Sequence, residues 1–183
     1  MRKINWGSVE EAKEFERLGS GGYVCKIVSI TDNPQKEYLK VVMDVAEGGF
    51  KNYGADAEKR NGNDWSYIRM FRSYKEKALG MFKAFLAALE KSNPSFKADD
   101  FDGDERKLIG LLIGVVLGYE EYQKNDGTIG IRTYVRTLTS ADKIRKKEFK
   151  VPDLKKLTTA TTATATPQPA PAASAYEDED LPF

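Results

Sequence analysis

Two apolar-rich runs early in the chain read as β-strands, and the second alternates apolar and polar positions at the two-residue period. Tyr23–Ile30 and Tyr38–Ala46 are rich in β-branched and aromatic residues, and Thr31-Asp32-Asn33-Pro34 between them is turn chemistry, which predicts a hairpin. In the second run Leu39, Val41, Met43 and Val45 share the face expected to meet a core. Ahead of the hairpin, Ser8–Leu18 (SVEEAKEFERL) reads as a short amphipathic helix packed against the domain's edge; Ser8 and Glu11 stand at capping-box spacing and Gly19–Gly22 stops it. Gly48–Asp64 is polar and rich in Gly and Asn, which predicts a functional or mobile loop. Trp65–Arg72 (WSYIRMFR) alternates as a strand, after which the period changes. Ser73 is placed to cap a helix with Glu76 three positions on, Ala78, Leu79, Phe82, Phe85, Leu86 and Leu89 line its apolar side, and Ser92-Asn93-Pro94 ends it. Leu108–Tyr119 is a nearly continuous apolar strand interrupted by Gly110, Gly114 and Gly118, which permit bending or close approach by another backbone. It runs on to Gln123, and Asn125-Asp126-Gly127 turns the chain into a last strand, Thr128–Leu138. Ala141–Leu157 is basic, with Ile144, Phe149, Val151 and Leu154 as anchors of a strap across the domain and Pro152 preventing one continuous helix.

The resulting order, β-β-β-α-β-β, is mainly β with helices and matches a five-stranded OB-fold-like barrel, whose helix lies between strands three and four. Another small β-barrel or an α+β domain fits the same pattern. Residues 1–157 form the expected domain. From Thr158 the chain becomes TTATTATATPQPAPAASA, a composition that cannot offset the entropy of ordering, so residues 158–176 are expected to be a disordered Thr/Ala/Pro linker. Residues 177–183 are an acidic tip. Charge sharpens the division, because Lys and Arg are absent beyond Leu157 while Glu177–Asp180 are all acidic. Residues 1–157 therefore carry 29 basic and 24 acidic side chains, about +5, against −4 for the remainder.

The chain has no His and a single Cys, Cys25, which removes His-Cys zinc sites, disulfides and His-based acid/base catalysis and points to a reducing compartment. The N-terminus lacks the apolar run of a secretory signal, and Leu108–Leu117 is too short to span a bilayer, so a cytoplasmic protein without membrane contact is expected. Gly19-Ser20-Gly21-Gly22 lacks the Lys-Ser/Thr of a phosphate loop, and Asp99–Asp104 lacks the spacing and terminal Glu of a calcium loop. No catalytic residue, metal or cofactor is expected, and the reading is not an enzyme.

The sharpest motif is the tip, Glu177-Asp178-Glu179-Asp180-Leu181-Pro182-Phe183. An acidic run steers toward a basic groove, Pro182 stiffens the peptide, and Phe183 offers a ring and the α-carboxylate together to a pocket. Bacterial single-stranded DNA-binding proteins end in a similar acidic run, an apolar residue, Pro and Phe after a low-complexity linker. The body, in contrast, resembles a family of small phage proteins from Gram-positive hosts. GGYVCKIVSI, FKNYG, SYKEKALGMFKAFLAALEKSNPSF, LIGLLIGVVLGYEEYQKNDG and DKIRKKEFKVPDLKKL carry that resemblance across most of residues 20–157. It implies an OB-like domain that binds single-stranded DNA in phage replication or recombination, in the host cytoplasm. The tip, through Asp178, Glu179, Asp180, Leu181, Pro182 and Phe183, is expected to recruit a helicase, primase, polymerase or recombinase. A rival expectation is an OB-fold protein–protein adaptor that mimics the tail of the host's single-stranded DNA-binding protein. Homo-oligomerisation is left open by the sequence.

A binder of unpaired strands without sequence preference needs cations for phosphates and exposed rings on which bases stack. With Ile68 and Met70 turned inward, Trp65, Tyr67, Arg69 and Phe71 would share an outer face; the opposite register, with the rings in the core, fits the alternation equally. Arg132, Tyr134 and Arg136 form a second such face opposite Ile131, Thr133 and Val135. Lys51, Asn52 and Tyr53 lie in the long loop where a groove could be flanked, with Lys40 and Tyr38 close by on the second strand.

Overall fold

The computed structural model describes Asn5, Gly7 and residues 16–157. Within them the order is β1 (Gly21–Asn33), β2 (Tyr38–Val45), α1 (Tyr53–Asn61), β3 (Ile68–Ser73), α2 (Leu79–Ser92), β4 (Leu112–Gln123), β5 (Ile129–Thr139) and α3 (Ala141–Arg145). The strands form one antiparallel sheet ordered β3-β2-β1-β4-β5. The period-two pattern decides its faces. Leu39, Val41, Met43 and Val45 of β2 are buried with Cys25 and Ile27 of β1 and Ile113, Val115 and Leu117 of β4, and α2 closes this core with Phe85, Leu86 and Leu89. Asn93, just past α2, ties the helix to the sheet: its amide donates to the carbonyls of Leu89 (2.7 Å) and Leu112 (2.8 Å), and its oxygen accepts from the Leu112 N–H (2.9 Å).

The other face of β1 and β4 is covered by α3 and the segment after it. Val24 and Val116 pack there with Ala141 and Ile144, and glycines allow the approach. A Cβ at Gly114 would stand 2.6 Å from the Ser140 carbonyl oxygen, one at Gly22 2.4 Å from the Phe149 ring, and one at Gly118 2.7 Å from Pro152. Lys155 then makes a parallel bridge beside Glu120 through backbone hydrogen bonds to Tyr119 and Glu121, each 2.9 Å. Of the three glycines expected to allow bending or close approach by another backbone, Gly114 meets backbone, Gly118 meets a proline ring, and Gly110 precedes β4 with open space around it.

Both hairpins and the long helix are present; β1 runs on through Thr31, Asp32 and Asn33, which pair with β2, so the first turn is residues 34–37, and the other differences have physical causes. The expected loop over Gly48–Asp64 contains helix α1, which a tertiary contact starts and no local cap does. β3 begins at Ile68, so Trp65 and Tyr67 precede the strand. Ser73 closes β3, and its hydroxyl accepts the Lys75 N–H (3.2 Å) ahead of a 3-10 turn at Glu76–Ala78. On α2, Leu79 faces solvent and Ala88 takes a buried place. Leu108 lies in a 3-10 turn, Glu105–Leu108, that precedes β4. Of the strap anchors, Ile144 and Phe149 pack on the sheet while Val151 and Leu154 are exposed, because Pro152 takes the slot over Gly118. The helix expected over Ser8–Leu18 lies outside the described residues except for Glu16–Leu18, which are irregular, and residues 158–183 also lie outside them. Among the described residues no helix is long and apolar enough to cross a membrane. The edge strands β3 and β5 approach each other without a ladder, so the sheet is open.

Candidate nucleic-acid interface

The gap between β3 and β5 opens into a groove of about 530 Å³. Its walls come from three sources: the chain entering β1 (Arg17, Leu18), α1 with the segment leading to β3 (Tyr53, Trp65, Tyr67, Arg69), and the β4–β5 hairpin (Tyr119, Ile131, Arg132, Tyr134).

The α1 wall is built on Asp44. This buried carboxylate accepts N–H bonds from Val45 (2.8 Å), Gly54 (2.7 Å) and Ala55 (3.0 Å), satisfying free donors at the start of α1. Tyr53, the first residue of α1, thereby reaches the groove, where its hydroxyl accepts the Leu18 N–H (3.3 Å). Tyr67 lies flat on Gly54, so closely that a Cβ there would be 2.5 Å from the ring. Its hydroxyl donates to Glu58 (2.8 Å), a bond that fixes the ring and pushes the phenol up to about 12. Arg69 pairs with Asp64 (2.8 Å) and donates to the Asp64 and Trp65 carbonyls, which pins the turn carrying Trp65. The same hydrogen bond from Arg69 holds the Asp64 carboxyl below its ordinary value. Trp65 itself is 83% exposed, an indole held by its backbone with its faces open to solvent.

On β5, Arg132 bonds Glu120 (2.8 Å) and lies 5.3 Å from the centre of the Tyr122 ring. Tyr134 packs on Gly118 with the Lys155 ammonium 5.6 Å from its ring centre. Both residues stand at the groove's edge.

The expected four-residue face of Trp65, Tyr67, Arg69 and Phe71 is therefore divided. Met70 does turn into the core and Ile68 packs against it, as the outward register of Arg69 and Phe71 requires. Phe71, however, meets Tyr38 edge-on at 5.2 Å and stands opposite Lys40 on the outer face of β2–β3, away from the groove lining. Lys51 is exposed ahead of α1 and also lies outside the lining. The register slip at Val116/Leu117 leaves Arg136 unpaired with β4; it lies outside the groove lining and borders a separate hollow of about 410 Å³ with Tyr134, Pro152, Asp153 and Lys155. The sequence reading missed Arg17 and Tyr119, which only the crossing of the chain brings to the groove, and Asp44 and Glu58, whose roles depend on α1.

The tip residues Asp178, Glu179, Asp180, Leu181, Pro182 and Phe183 lie outside the described residues. Among the described residues no group of His, Cys, Asp and Glu could hold a metal ion. Cys25 is fully buried, and burial raises its thiol far above the reactive range. The site can offer open aromatic faces, guanidinium groups and a trough between two strand edges. No protein-family model and no curated protein matches this chain.

Proposed function

We propose that the chain binds single-stranded DNA without sequence preference in the β3–β5 groove, protecting it during phage replication or recombination. The observation that carries this reading is the joint placement of Tyr53, Trp65, Tyr67 and Tyr119 with Arg17, Arg69 and Arg132 around one open trough. Rings supply sequence-tolerant stacking and guanidinium groups meet phosphates, the two requirements of such a binder. The hollow has the size of a small-molecule site, which suits splayed bases far better than a duplex. The sheet order, with α2 between β3 and β4, is that of an OB barrel parted between its third and fifth strands, so an OB-like domain is the fold proposed. The acidic tip is proposed to recruit replication or recombination proteins, many tails acting together along a coated strand.

Fluorescence titration tests the DNA reading. Unpaired oligonucleotides should bind more tightly than duplex, with log affinity falling by about 0.7 per neutralised phosphate as log salt rises. Equal affinity for duplex, or no binding at low salt, would remove it. Deleting Phe183 should abolish partner capture and leave the titration unchanged.

A further inference from the structure

Arg72, on β3 but outside the groove lining, differs from the two strand arginines that line the groove. Arg69 is paired with Asp64 and Arg132 with Glu120, whereas Arg72 has no ion pair among the described residues. Its Nε is buried without a hydrogen-bond partner, the one such side-chain atom among the described residues. The side chain points to the inner face of β3, opposite buried Leu39, and its guanidinium lies 6.0 Å from the centre of the Phe85 ring. A ring face offers a cation some compensation but no acceptor for its N–H groups. Burial accordingly lowers the pKa of the group, though it stays charged. A buried N–H without a partner costs stability, and replacing the group that carries it by an apolar residue of similar volume is often neutral or stabilising. Residues that break local rules in this way are the ones expected at functional sites. Arg72 also lies on an edge strand of the sheet, three residues from Arg69, and is only partly buried.

We infer that Arg72 is an anion contact, held without a protein carboxylate so that a phosphate group can take its outer N–H groups at the β3 edge of the sheet. The assignment of that phosphate to a DNA strand rests on the function proposed above; the anion site itself does not. Arg72→Met tests it in the full chain. The variant should melt at the same temperature as the wild type or higher, yet bind a single-stranded oligonucleotide about tenfold more weakly, with a salt slope shallower by about 0.7. Inorganic pyrophosphate should raise the melting temperature of the wild type and not that of the variant. Unchanged affinity and slope, or equal pyrophosphate shifts, would overturn the inference. If R72M does not fold, R72K decides: retained charge without the fork should weaken binding at nearly constant slope, and unchanged affinity would count against the contact. A pyrophosphate shift that needs Arg72 in a protein indifferent to DNA would keep the anion site and discard the DNA reading.

Discussion

The two flanks of the sheet are finished in opposite ways. Over β1 and β4, glycines at 22, 114 and 118 let α3 and the strap settle until no room remains for a single added carbon. Between β3 and β5 the edges stand apart, and the space is lined by Tyr53, Tyr67 and Tyr119 beside an indole that is 83% exposed. Small residues thus seal one flank and large ones line the other, so the tightly packed flank and the flank proposed to bind DNA are different sides of one sheet.

The sharpest way to break this contrast is Gly114→Val. The added carbons meet the Ser140 backbone at 2.6 Å, which cannot rotate away, so denaturant unfolding should show a loss of about 3 kcal/mol. Asp44→Ala is next: it strands N–H donors of Val45, Gly54 and Ala55, and about 2 kcal/mol should be lost, with faster hydrogen exchange confined to α1. Trp65→Ala should leave the melting temperature unchanged, since the indole is exposed, but weaken oligonucleotide binding by about 1–2 kcal/mol.

Smaller effects sharpen the picture of the open flank. Deleting residues 177–183 removes the acidic tip as an intramolecular competitor for the arginines there, so affinity for single-stranded DNA should rise about threefold at low salt and not at high salt. The Arg69–Asp64 clamp gives the smallest effect. Asp64 is held below its ordinary 3.8, so the clamp is complete above that value and is lost only as pH falls through the lower folded value. In a Trp6→Phe variant, acrylamide quenching of Trp65 should stay flat from neutral pH down to about 4 and rise below it.

Much of the framework was readable from the pattern of side chains. Strand periodicity located both hairpins, and the inward set Leu39, Val41, Met43 and Val45 was right because a sheet face admits only alternate residues. Most of the residues suspected of touching nucleic acid do reach the groove, including Tyr53, Trp65, Tyr67, Arg69, Arg132 and Tyr134. Their grouping was not readable. Phe71 was assigned with Trp65 because two-residue spacing was carried back beyond Ile68, where the strand has not yet begun. Helix α1 was invisible because YGADAEKRN has little apolar periodicity, and the helix depends on Asp44, which arrives from β2.

The sequence by itself determined which residues alternate, where the chain must turn, and that aromatic and basic side chains recur on neighbouring strands; these follow from local sterics and from the need to bury one face. Tertiary structure alone decided that β3 and β5 would part, that Asp44 would start a helix, and that Arg17 and Tyr119 would face the same trough. Contacts between residues far apart in the chain leave no spacing for a local pattern to record.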